Sequence, residues 1–169
     1  MRIVSLAAAI LLALTFVPIA FAHQGRLDIG NRTVPTVDEL LTQAGCEDSA
    51  KALVDAGFRA HFGASHDSRT IKLIAGQVRP DWLPAIEGVS FVLLTDAEAR
   101  GAYASCAGCW FLGPIRHTDG LVTVEINHGN LCSTITTSYR FRLERGIPTR
   151  DWSVGSGAVV GLSDCTCTP

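Results

Sequence analysis

The chain has 169 residues, of which 47% are hydrophobic and 18% charged, and its formal net charge is −2. That length supports one domain with a core of its own. A balance so close to neutral gives no electrostatic reason to expect nucleic acid or an anionic membrane surface as a partner.

Along the chain, Arg2 precedes an apolar run from Ile3 to Phe16 and Pro18 ends it. Ala20-Phe21-Ala22 then supplies the small-x-small pattern of a signal-peptidase site. Residues 1–22 are therefore expected to be a signal peptide, and residues 23–169 a single exported domain, periplasmic or extracellular. Ile3–Ala22 is also nearly long enough for an uncleaved anchor, since about 20 residues span a bilayer. The break at Pro18 and the cleavage pattern favour removal. Past Ala22 no apolar run approaches that length, so no span is expected after cleavage. All six cysteines follow Ala22 and would mature where disulfides form.

Residues 23–35 carry Gly, Asn, Asp and Pro without an apolar period and read as an extended lead-in. Thr36-x-x-Glu39 is a capping box that starts a helix through Leu40 and Leu41, stopped near Gly45. A second helix is expected from Asp48 to His61, with Ala50, Leu53, Val54, Gly57, Phe58 and His61 on one face. A polar connector leads to a short strand in which Ile71, Leu73 and Ala75 alternate. Gln77–Pro84, around Trp82, reads as an irregular loop. Val89–Leu94 is a strand, and Thr95-x-x-Glu98 caps a helix ending near Ser105. Trp110–Ile115 and Leu121–Ile126 form a hairpin around Arg116–Gly120, which sets Trp110 opposite Ile126. In Thr134–Leu143 the residues Ile135, Thr137, Tyr139, Phe141 and Leu143 face one way. After a turn at Gly146–Pro148, Trp152, Val154, Ala158 and Val160 continue the meander. The expected fold is α+β, with N-terminal helices packed on a curved, mainly antiparallel β-meander.

The segment Glu87-Gly88-Val89-Ser90-Phe91-Val92-Leu93-Leu94-Thr95, with the hairpin and the Tyr139–Arg142 strand after it, resembles a loose group of uncharacterised exported bacterial proteins. Members share a helix followed by a curved antiparallel meander. The resemblance covers Trp82 to Val160, implies the same fold and brings no activity with it.

Pairing the strands as successive hairpins gathers Cys106, Cys109, Cys132, Cys165 and Cys167 at one end of the sheet, with His128 beside them. Cys46, between two helices, falls outside. Structural disulfides are the ordinary fate of such residues in an exported chain, and the sequence does not choose among the pairings. Zinc is the sharper alternative. Cys106-x-x-Cys109 and Cys165-x-Cys167 offer four thiolates, with His128 and Cys132 in reserve, although the second spacing is short and export favours oxidation. The third reading is thiol exchange, which needs an ionised first thiol, commonly at a helix N-terminus. Cys106 instead follows the predicted helix, at the end where the dipole disfavours an anion, and no βαβ context is expected around it.

Other chemistry-bearing residues have plainer explanations. His23 would head the mature chain and could offer its amine and imidazole to copper, but the lead-in carries no supporting pattern. His61-x4-His66 straddles a predicted helix end and reads as a helix-face histidine followed by an exposed one. Glycines 155, 157 and 161 let the last strand bend or bulge, and Arg140, Arg142, Arg145 and Arg150 read as a solvated strand face. Without a nucleophile–base pair in a suitable setting, the leading expectation is a non-catalytic domain with no cofactor. It would bind a small apolar ligand or an envelope protein through a pocket lined by Trp110, Tyr139, Phe141 and Trp152. A zinc or redox protein acting at the cysteine end is the alternative.

Overall fold

A computed structural model describes residues 27–30, 32–63, 67–105, 107–144 and 147–161 of the chain. The signal-peptide segment, His23, His66, Cys106, Arg145, Cys165 and Cys167 lie outside the described residues. The fold is α+β. It opens with a hairpin of β1 (Leu27–Ile29) and β2 (Arg32–Val34), within the segment expected to be an extended lead-in. The signal was the alternation of Leu27 and Ile29 before the dipeptide Gly-Asn in the sequence, short enough to be lost among polar neighbours.

Helix α1 (Val37–Ala44) starts as its sequence dictates. The Thr36 hydroxyl accepts from the Glu39 amide at 3.3 Å, and the Glu39 carboxylate accepts from the Thr36 amide at 2.9 Å. Helix α2 (Glu47–Phe62) buries the expected face of Ala50, Leu53, Val54, Gly57 and Phe58. It ends where Arg69, at the head of β3 (Arg69–Ile74), donates to the Phe62 carbonyl at 2.6 Å, satisfying one of the carbonyls a helix end leaves open. The irregular loop that follows holds two 3₁₀ turns, Ala75–Gln77 and Pro80–Trp82. Trp82 is buried, and the Arg79–Glu47 and Lys51–Asp81 ion pairs tie this loop to α2.

Then come β4 (Val89–Leu94), α3 (Asp96–Ala104), β5 (Cys109–Leu112), β6 (Arg116–Thr118), β7 (Leu121–Gly129), β8 (Ser133–Glu144) and β9 (Ile147–Gly161). The main sheet runs β4-β3-β5-β7-β8-β9, with β6 paired to the start of β7. It is mixed, which corrects the simple meander: β3 is parallel to both β4 and β5, and only β5 onward is antiparallel. Two crossovers make it so: residues 75–88 return the chain from β3 to a parallel β4, and α3 carries it from β4 to a parallel β5 on the other side of β3. The register of β5 is also corrected, because Trp110 lies opposite His128 and Leu112 opposite Ile126. Residues 116–118, expected in the turn, instead form β6 around a two-residue Asp119-Gly120 turn. Both turn residues have positive φ (51° and 75°), the conformation a tight hairpin favours and aspartate-glycine supplies.

Each face of the sheet carries its own core. Leu53, Phe58 and Phe62 pack on Leu73, Leu112, Val124, Ile126 and Phe141. On the other face, Leu27, Ile29 and Val34 join Ala99 and Tyr103 of α3 over Ile74, Cys109 and Phe111. Among the described residues no helix is long and apolar enough to cross a membrane.

Between the parallel and antiparallel halves sits Gln77, buried at 1% exposure. Its side-chain amide donates to the carbonyls of Leu112 and Pro35, both at 2.9 Å, and its oxygen accepts from the Leu112 amide at 3.0 Å. The side chain thus stands in for a strand backbone beside β5. Gln77→Leu should deprive three buried backbone groups of their partners and lower stability by about 3 kcal/mol. A urea midpoint unchanged by the substitution would show that these bonds are not needed.

Candidate functional site

Alternation along β5 decides how the sequence-derived candidates are distributed. Trp110 points toward α2, whereas Cys109 and Phe111 point toward α3 and the first hairpin. Trp110 rests on His128 of β7, with ring centroids 4.5 Å apart and planes tilted by 34°. Trp110 also meets His61, near the end of α2, edge-on at 5.0 Å. His61 Nδ1 lies 2.8 Å from the Tyr139 hydroxyl, and its ring also packs edge-on against Phe62 at 4.7 Å. Two of the four expected pocket residues, Trp110 and Tyr139, therefore meet around a histidine. Phe141 is 2% exposed and belongs to the core. Trp152 lies on β9 within the register shift opposite Tyr139; its side chain is outside the described residues.

Burial favours the neutral form of His61 and His128. Burial, with the charges of Arg69 and His128 adding to it, pushes His61 from 6.5 down to about 4. Burial also lowers His128. The guanidinium of Arg69 sits 5.4 Å above the Phe62 ring, beside the same helix end. Along the sheet from Leu73 the row continues through Trp110 and His128 to Ile135. Ile135 shares a face with Tyr139 and Phe141, as its parity predicts, yet it is 47% exposed. Among the described residues the inner face is therefore incompletely covered at this end.

Two of the five cysteines expected at one end of the sheet, Cys109 and Cys132, fall within the described residues. Cys109, opposite Gly129 on β5, and Cys132, between β7 and β8, do lie at the same end of the sheet. Gly161, the last residue of β9, also reaches that end, opposite Ser133. Cys109 and His128, however, point to opposite faces, so the two cannot share one zinc ion. The Cys109 thiol is buried 3.9 Å from the Ala99 carbonyl, and desolvation raises its pKa to about 11. A β4–α3–β5 unit is present after all, contrary to the expectation, but the Cys106–Cys109 motif falls after α3, not at its start. The cysteine that does occupy a helix start is Cys46, exposed at the head of α2, where bonding to Ser49 lowers its pKa.

His61 makes stability depend on pH with a definite sign. Its folded pKa lies below the unfolded one, so the unfolded chain binds more protons between them. Its stabilising contribution is full above 6.5 and is lost as pH falls toward 4. His61→Gln should flatten the fall in urea midpoint between those values. An equally steep fall in the variant would assign the dependence elsewhere.

Compared with protein-family models, with curated proteins and with solved structures, the chain matches none.

Proposed function

We propose that this protein is an exported, non-catalytic binding domain that takes a small apolar ligand on the open end of the α2-facing sheet surface. The observation that carries the reading is the row Trp110, His128 and Ile135, which ends in a large aliphatic side chain 47% exposed on the core-facing side of the sheet. Neutral imidazoles around an indole present an apolar wall, and the Tyr139 hydroxyl is already engaged with His61. Such a surface suits a ligand held by contact area and shape. Export rests on the Ala20-Phe21-Ala22 site and the apolar run before it.

The cysteines serve as staples in this reading. The buried, protonated Cys109 is a poor zinc ligand and a poor nucleophile, since both roles need thiolate. We assign the bridges to Cys106, Cys132, Cys165 and Cys167, leaving Cys46 and Cys109 as thiols.

Two outcomes follow. Laurate should change the tryptophan fluorescence of the protein saturably, and Ile135→Asp should weaken that response at least about tenfold with little loss of stability. A response identical in the variant would move the site elsewhere. Separately, the exported protein should have a mass that starts at His23, with one alkylatable thiol when native and two when denatured. Five or six thiols with stoichiometric zinc would replace this reading with the metal one.

A further inference from the structure

On the opposite face of the sheet a cleft of about 260 Å³ runs between the first hairpin and the strands β5 to β8. Its walls include Arg32, Pro35 and Pro114, and its floor is Glu125, Asn127 and Thr136. Face alternation explains the polar floor: Val124 and Ile126 enter the core beneath α2, so Glu125 and Asn127 must point the other way. Gly113 makes room for them. A β-carbon there would sit 2.6 Å from a Glu125 carboxylate oxygen and 3.1 Å from Asn127 Nδ2.

The polar groups of this cleft are under-used. Asn127 is only 4% exposed, and its oxygen accepts from the Thr136 hydroxyl at 2.6 Å. Its Nδ2 hydrogens have no acceptor among the described residues. Arg116 lies 3.8 Å from Glu125, too far for a good hydrogen bond, with its side chain 62% exposed. An amide donor in a cleft also lined by Arg32 and Arg116 is a setting for an anion with planar oxygens, because arginine pairs with a carboxylate through two parallel bonds. Glu125 sets a second condition, since an anion lodged beside a carboxylate needs a donor of its own to turn toward it. The volume lies below the roughly 300–1,000 Å³ of sites for drug-sized molecules.

We propose that this cleft binds a small carboxylate bearing a neighbouring hydroxyl or ammonium group. Arg32, Arg116 and Asn127 Nδ2 receive the carboxylate, and Glu125 accepts from the donor. The site is independent of the α2-facing surface and lies across the sheet from it.

Glycolate is the probe, followed through the side-chain amide resonances of asparagine in ¹⁵N-labelled full-length protein. A saturable shift of the Asn127 amide is expected, weakened at least about tenfold by Arg116→Gln, whose exposed side chain can be changed without loss of fold. Acetate, which lacks the donor, should bind more weakly than glycolate, and glycerol should produce no shift. The proposal is overturned by no saturable shift up to about 100 mM glycolate, by an equal response in Arg116→Gln, or by an equal response to glycerol. Acetate binding as tightly as glycolate would overturn the role given to Glu125. Asn127→Ser serves as a second variant, keeping a hydroxyl beside Thr136 while removing the amide donor. Its glycolate binding, read from the Gly113 backbone resonance, should weaken likewise, and unchanged binding would remove Asn127 from the site.

Discussion

Strand β5 has to satisfy two halves of the sheet at once, and the bond that lets it do so is the carboxamide clamp of Gln77 on Leu112. On one edge β5 is fully paired, residue by residue, with β7. On the other, its parallel partner β3 meets it at a single register position, Leu73 with Trp110, before the chain turns away at Ile74. Without a substitute, the backbone groups of Leu112 would be buried and unpaired, at a cost near that of a lost hydrogen bond each. The Gln77 side chain supplies a donor and an acceptor in the spacing of a peptide group, and a second donor contact holds Pro35 at the end of β2. The parallel half, the antiparallel half and the first hairpin thus share one buried side chain.

The division of labour between the two faces follows from placing β5 there. Cys109, Trp110, Phe111 and Leu112 occupy successive positions, so each core receives two of them. The same alternation on β7 sends Val122, Val124 and Ile126 under α2, and turns Thr123, Glu125 and Asn127 outward. Beneath α3 and the first hairpin the second face is apolar. Beyond them it is polar, and the cleft lies on that boundary. The first face changes character the other way, from a covered core to an exposed aliphatic residue at Ile135. Two chemically different surfaces result from one alternating pattern.

Much of this was legible in the residues. Both capping boxes, Thr36 with Glu39 and Thr95 with Glu98, start their helices where the pattern places them. Strand β4 has the expected bounds. Such features are local, or follow from turn geometry. That β4 and β5 run parallel was also readable in principle, since a strand–helix–strand run implies a parallel return. What the sequence could not reveal depends on residues far apart. The contact between His61 and Tyr139 spans 78 positions, and the Gln77 clamp spans 35. No periodicity marks either, because each is a single polar side chain meeting its partner only through the tertiary fold. The end of the sheet that Cys109 and Cys132 share follows from the hairpins, whereas the opposite faces taken by Cys109 and His128 follow from strand alternation.

The separation of 35 residues between Gln77 and Leu112 bears on the order in which the chain can assemble. The β6–β7 turn closes over two residues and the β7–β8 connection over three, so these hairpins bring their partners together within a short stretch of chain. The β3–β5 seam joins segments separated by β4 and α3. Closing a loop costs more as it lengthens, by roughly 0.6 kcal/mol per doubling, and folding slows where distant pairings dominate. Formation of α3 shortens the path that β5 must travel to reach β3. On loop-closure cost alone, the antiparallel half is expected to form before the seam that joins β5 to β3 and completes the sheet.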